Sequence, residues 1–200
     1  MDAGRAADAL GVTVGAGPAE SGRGTTHWLV ERWDSEAVAW VRRRTGIAEP
    51  LGRHFHALRV RPYAVSEVVG NVITNAGWTL LMTLLTGGSG QAMDATHTRI
   101  GVGNGTTAAD YADTDLAGSD TWFEPVSSAA TLGTRSMQFS ATFGASVANF
   151  DWEEFGLDIT SGTATAGNTV GAVLFNRRVS SQGTKASGQV WTATATVTFS

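Results

Sequence analysis

Cysteine is absent from this chain of 200 residues, lysine occurs only as Lys185, and no apolar run approaches the length of a membrane span. The absence of cysteine excludes disulfides, thiolate metal ligands and cysteine nucleophiles. A bilayer-spanning helix needs about 20 apolar residues in succession, so no such helix is predicted. We therefore expect any stabilisation beyond the hydrophobic core to come from neighbouring subunits rather than from covalent cross-links.

Charge is also scarce, at 16% of residues, and the net charge is −4, which argues against a broad basic surface for nucleic acid. Residues 1–62 carry nine arginines and seven acidic residues, whereas residues 63–200 carry five basic and eleven acidic residues. This asymmetry indicates two regions with different surroundings, and a weakly basic N-terminal region that lies against an acidic neighbour fits it. The alternative is an ordinary surface of mixed charge.

Alternation of apolar and polar residues is the strongest structural pattern. In the last run, Trp191, Ala193, Ala195, Val197 and Phe199 alternate with four threonines. Shorter runs of the same period lie near residues 98–102, 137–143, 150–159 and 170–176. We therefore expect a mainly β fold, an antiparallel β-sandwich or jelly-roll-like domain over residues 63–200, with one helix and an extended N-terminal arm.

The single predicted helix lies within residues 65–86, where apolar residues recur at near-helical spacing between Ile73 and Leu85. Its start is expected between residues 71 and 75, with Asn71, Thr74 or Asn75 as the N-cap. Gly87 and Gly88 predict its end.

Residues 1–62 are interpreted as an N-terminal arm and docking segment. Residues 1–24 are rich in Ala and Gly and bury too little apolar surface to order themselves alone. Three of the seven tryptophans follow within thirteen residues. Because Trp and Arg are enriched at the centres of interfaces, we expect a partner to dock here; the alternative places the tryptophans in the protein's own core. The candidate docking residues are Trp28, Trp33, Trp40, Arg42, Arg43, Arg44, Arg59 and Arg61.

Residues with metal-binding chemistry form no complete pattern. His54 and His56 would share one face of a strand, but no third ligand lies near them in the sequence. Four aspartates between Asp110 and Asp120 offer carboxylates for calcium without the EF-hand spacing. We predict no metal site and no cofactor.

Catalytic and turn motifs are equally sparse. The G-x-S-x-G pattern of serine hydrolases is absent, and Gly103-Asn104-Gly105 is typical of a hairpin turn. Asp151, Glu153 and Glu154 could serve a polysaccharide hydrolase, although one of the adjacent glutamates must leave the buried face of the strand or form a bulge. Arg177, Arg178 and Lys185 are expected in a solvated loop, or as a clamp for an acidic neighbour or a carbohydrate. No catalytic residue is predicted.

Several short segments, taken in order, carry a resemblance to a known family. They are Asn71-Val-Ile-Thr-Asn-Ala-Gly77, Arg99-Ile-Gly-Val-Gly-Asn-Gly-Thr-Thr107 with Asp113-Thr-Asp-Leu116, Phe150-Asp-Trp-Glu-Glu-Phe-Gly156, Asn176-Arg-Arg-Val179 and Gly183-Thr-Lys-Ala-Ser-Gly-Gln-Val-Trp191. Over residues 60–200 the chain resembles small virion structural proteins of tailed bacteriophages, of the capsid-decoration or minor structural type. Residues 1–58 lie outside the resemblance.

The resemblance implies a non-enzymatic virion protein, made in the bacterial cytoplasm, that decorates or reinforces the capsid exterior. Its expected partners are the major capsid protein or other virion proteins and copies of itself, with a trimer as one arrangement; neither nucleic acid nor a membrane is expected. The alternative is a tail, baseplate or fibre component that binds a host-surface glycan.

Overall fold

The computed structural model describes residues 24–127 and 131–199. The elements, in order along the chain, are β1 (Gly24–Trp33), α1 (Ser35–Thr45), α2 (Gly52–Ala57), β2 (Ala64–Val69), β3 (Val72–Ile73), α3 (Asn75–Leu85), β4 (Thr98–Gly103), β5 (Thr121–Pro125), β6 (Thr131–Leu132), β7 (Ser136–Phe143), β8 (Asp151–Ile159), β9 (Val173–Thr184) and β10 (Val190–Phe199).

The strands form two five-stranded sheets, in the orders β2-β1-β10-β7-β6 and β3-β9-β8-β4-β5. Neighbouring strands are antiparallel in both sheets. β1 pairs with β10 over its whole length, from Gly24 opposite Phe199 to Trp33 opposite Val190. Four neighbouring pairs join strands that follow each other in the chain (β1 with β2, β4 with β5, β6 with β7, β8 with β9), as in a sandwich built from hairpins.

The main core lies between the two sheets and comes from the alternating residues. Trp28 on β1 stacks on Phe155 on β8, with ring centroids 5.2 Å apart. Trp152 meets Phe143 and Trp191 edge-on, at 4.7 and 4.9 Å. All five rings are buried, since strand alternation turns every second side chain inward. The prediction of a mainly β, antiparallel sandwich is confirmed.

The predicted division of the chain at residue 62 is wrong, because part of the N-terminal region belongs to the sandwich. β1 is an inner strand of the first sheet, hydrogen-bonded to β2 and β10, so residues 24–33 belong to the sandwich. Residues 1–23, which hold the expected arm, lie outside the described residues. The prediction of a single helix is also wrong, because α1 and α2 precede α3.

The region predicted as one helix, 65–86, divides into β2, β3 and α3. Exposure alternates along β2, as in a strand with one covered face, and β2 lies at the edge of its sheet. The Thr74 hydroxyl caps α3 by accepting a hydrogen bond from the N–H of Gly77 at 3.0 Å. Thr74 was one of three predicted caps, and the short apolar runs before it fit a strand as well as a helix.

Gly77 sets how closely α3 approaches β9. A Cβ at this position would overlap the carbonyl group of Phe175 and lie 2.9 Å from its carbon. We expect Gly77→Ala to lower the free energy of unfolding by about 1–3 kcal/mol, because backbone has to move to admit the methyl group. Chemical denaturation checks this. Gly162→Ala is the control, since a Cβ there meets nothing within 4 Å, and an equal loss for both variants would contradict the prediction.

Candidate functional site

Glu154 and Arg177 form a fully buried ion pair between β8 and β9. The Nε of Arg177 donates to Glu154 Oε2 at 2.6 Å. The same carboxylate accepts hydrogen bonds from the backbone N–H groups of Gly105, Ala117 and Gly118, at 3.0, 3.1 and 2.7 Å. One buried side chain thus binds both ends of the loop of residues 104–120.

Arg177 holds the middle of the same loop. It donates to Asp113 Oδ2 and to the carbonyl of Thr107, both at 2.9 Å. Burial acts to lower the pKa of Arg177, but the bonds with Asp113 and Glu154 outweigh it and raise this pKa above its ordinary value. The guanidinium is therefore a permanent cation that fixes the loop.

The expected hairpin turn at Gly103-Asn104-Gly105 is not formed. β4 and β5 are antiparallel neighbours, but the whole 104–120 loop connects them. Asn104 closes its base, where Oδ1 accepts from the N–H of Asp120 at 3.1 Å. A long loop is possible here because the carboxylate of Glu154 accepts hydrogen bonds from the backbone N–H groups of the loop.

Of the two alternatives for the adjacent glutamates, an irregularity of the strand is found. The register of β8 against β9 shifts between Trp152 and Glu154. Glu153 is half-buried, and the Ser181 hydroxyl donates to it at 2.8 Å, whereas Glu154 is fully buried. The two carboxylates lie in different environments, and Glu154 is enclosed by its hydrogen-bond partners.

A second buried ion pair fixes the loop of residues 160–172. Arg99 Nε donates to Asp158 Oδ2 at 2.7 Å, and its Nη atoms donate to the carbonyls of Thr165 and Thr169 at 2.9 and 2.8 Å. The guanidinium lies over the ring of Phe123, 5.0 Å from its centroid. This pair repeats the arrangement of Glu154 and Arg177 on the neighbouring strands.

Lys185 fixes a third loop and corrects the expectation of a solvated turn. It is fully buried, and its Nζ donates to the carbonyls of Gly144 and Val147 at 2.8 and 2.9 Å and to Asn149 Oδ1 at 2.7 Å. Desolvation lowers the pKa of Lys185 to about 8, against an opposing effect of Glu49. Of the three basic residues expected in that turn, Arg177 is buried too and Arg178 is half-buried.

Residues 34–62, with α1 and α2, form a structure over one end of the first sheet that we call the helical cap. The cap packs around Trp33, the last residue of β1. The indole stacks on Phe55 at 4.6 Å and donates from Nε1 to the carbonyl of Val60 at 3.1 Å. Val38 and Val41 complete this small core. Asp34 caps α1 by accepting from the N–H of Ala37 at 2.8 Å.

The structure separates the eight predicted docking residues into three groups. Trp28 and Trp33 correct the docking hypothesis, because both are fully buried in the protein's own cores. Arg42 is half-buried and bonded to Glu49 at 3.1 Å. The remaining five are exposed on the helical cap, and they are Trp40, Arg43, Arg44, Arg59 and Arg61.

The helical cap is basic, although the chain as a whole is acidic. It contains six arginines and three acidic residues, a net charge of +3 against −4 for the chain. Trp40, Arg43 and Arg44 lie three and four residues apart on α1 and so share one face. This exposed face combines an indole with two cations.

The histidines and aspartates considered for metal binding do not converge. His54 and His56 lie on the short helix α2 rather than on a strand: His54 Nδ1 accepts from the N–H of Leu51 at 2.9 Å, and His56 pairs with Glu31 at 3.1 Å. Asp113 is bound to Arg177, and Asp120 to Asn104. Within residues 24–127 and 131–199 the structure contains no group of three or more side chains placed to hold a metal ion.

The structure thus contains two sets of charged side chains. Buried charges hold loops in place, and exposed arginines lie on the helical cap. No helix in the described part of the chain is long and apolar enough to cross a membrane. Comparison of the chain with protein-family models, curated proteins and solved structures finds no significant match.

Proposed function

We propose that the chain is a non-enzymatic structural subunit of a tailed-phage virion. It decorates or reinforces the capsid exterior through contacts with the major capsid protein or other virion proteins, and with copies of itself. The ordered resemblance over residues 60–200 supports the virion assignment. The helical cap supports the mode of attachment.

The exposed face of α1 carries the proposal. Trp40 is 43% exposed, and Arg43 and Arg44 beside it have no carboxylate partner among the described residues. An exposed aromatic ring beside unpaired guanidinium groups is the composition found at interface centres. Because the cap carries a net positive charge, its expected partner surface is an acidic face on a neighbouring virion subunit. Opposite charges on the two surfaces would speed their association and orient it.

The buried ion pairs support a structural role in another way. Glu154 with Arg177, and Arg99 with Asp158, hold long loops in single conformations at the cost of desolvating charges. A lattice subunit benefits from such rigidity, because contacts repeated over a shell require every copy to present the same surface.

Contact between copies is supported by α3. Met82 and Leu85 on this helix are 48% and 72% exposed, and the helix contains no charged residue. Two or three copies can therefore bring this apolar face together without charge repulsion.

Charge reversal on the cap tests the proposal. Purified chain is added to particles that lack it, prepared from the phage whose genome encodes it, and bound protein is measured at low and high salt. We expect Arg43→Glu to weaken binding about tenfold at low salt, with a smaller difference at high salt. Deleting residues 1–62 is unsuitable, because the deletion removes β1 from the centre of a sheet.

Arg135→Glu is the control, since Arg135 is an exposed arginine that adjoins the end of the first sheet opposite the cap, where Ser136 pairs with Thr198. Equal binding by the two variants would contradict docking through the cap. Absence of the chain from particles of the unmodified phage would overturn the virion assignment itself.

A further inference from the structure

A groove lies where the start of β1, the β2–β3 turn, α3 and the 104–120 loop meet. Its volume is about 410 Å³. Thr25, Asn71, Trp78 and Tyr111 supply its polar and aromatic lining, and none of the described residues that line it is charged. The groove is thus large enough for a small organic ligand and favours a neutral one.

Asn71 offers the groove an uncommitted hydrogen-bond donor. Its Oδ1 accepts from the N–H of Thr26 at 3.0 Å, which fixes the orientation of the amide. Its Nδ2 is buried and has no partner among the described residues. A buried donor without a partner costs free energy, and a ligand oxygen that displaces the side chains covering it would recover this cost.

Two aromatic side chains line the same groove. Trp78 is half-buried on α3, while the side chain of Tyr111 is 61% exposed. The position of Tyr111 is fixed on both sides, because its carbonyl accepts from the N–H of Asn75 at 2.7 Å and Asp113 is bound to Arg177. The backbone that carries the Tyr111 ring is therefore held in place before any ligand arrives, which lowers the ordering cost of binding.

We propose that this groove binds a neutral saccharide. A pyranose ring has one face of C–H groups, which packs on aromatic rings, and a rim of hydroxyls, which accept from an amide and exchange hydrogen bonds with the hydroxyls of Thr25 and Tyr111. The absence of charged lining residues disfavours sialylated or phosphorylated sugars. Saccharide binding is independent of attachment through the helical cap, and is measured on the purified chain without particles.

The test uses the labelled full chain on an array of neutral and acidic saccharides, followed by calorimetry with the best neutral compound. We expect binding to neutral saccharides, weakened about tenfold or more by Tyr111→Ala and largely kept by Tyr111→Phe, which retains the ring. Tyr63→Ala is the matched control: Tyr63 is 52% exposed and does not line the groove. Thermal unfolding of each variant establishes that it is folded.

Absence of binding to every saccharide on the array would overturn the proposal. So would equal affinity of Tyr111→Ala and the unmodified chain, or a preference for acidic saccharides. None of these results bears on attachment to the capsid, so failure of one proposal is distinguishable from failure of the other.

Discussion

Glu154→Gln is expected to lower the free energy of unfolding by about 3–5 kcal/mol, the cost of breaking a buried ion pair by removing one partner. Glutamine cannot balance the charge of Arg177, and its amide nitrogen would confront at least one of the backbone N–H groups that the carboxylate now accepts from. For a chain of this length the loss lowers the melting temperature by roughly 10 °C, measured by calorimetry.

The neighbouring residue provides the control. Glu153→Gln removes the same charge one position away, where the carboxylate is outside the core and accepts only from Ser181 among the described residues. We expect a change within about 0.5 kcal/mol. Similar losses for the two variants would show that net charge, and not the enclosed pair, determines the effect. Hydrogen exchange at Gly105 and Gly118 should accelerate in Glu154→Gln alone.

Stability is expected to rise with pH above about 8, because of Lys185. Its pKa in the folded protein is about 8, below the ordinary value of 10.5, since burial disfavours the charged ammonium. Between these two pH values the unfolded chain retains a proton that the folded protein has released. The free energy of unfolding therefore increases across this interval, by up to about 3 kcal/mol, and the cost of the buried charge is fully present below pH 8.

Lys185→Met isolates this contribution from other groups that titrate at alkaline pH. Near neutral pH two effects oppose each other in this variant, because Gly144, Val147 and Asn149 lose their donor while the cost of the buried charge disappears. Its stability should lack the alkaline rise. Urea denaturation at several pH values gives the difference between the two curves, and parallel curves would contradict the assignment.

The sandwich was predictable because strand alternation is a local pattern. β10 and β7 follow strict alternation, and their inward residues are those that the sequence places on one face. α1 had local signals too, since Asp34 is its N-cap and Gly46 its left-handed C-cap. α2 has only six residues, too few for helical periodicity to show.

The buried charges could not be predicted in the same way. Arg177 and Asp113 are 64 residues apart, and Arg99 and Asp158 are 59 apart. No local pattern distinguishes a charge that enters the core from one that faces water. The signal that was present is the adjacency of Glu153 and Glu154, which indicated that the two glutamates have different environments or flank a bulge. The partner of the buried glutamate depended on the register of β9.

The pairing of β1 with β10 determines when the first sheet can form. These strands come from opposite ends of the described chain and lie side by side at the centre of one sheet. During synthesis β1 emerges first and lacks its main partner until β10 has left the ribosome. The first sheet is therefore expected to wait for β10 before it folds, and to fold slowly, since the β1–β10 contact joins the described strands that lie farthest apart in the chain.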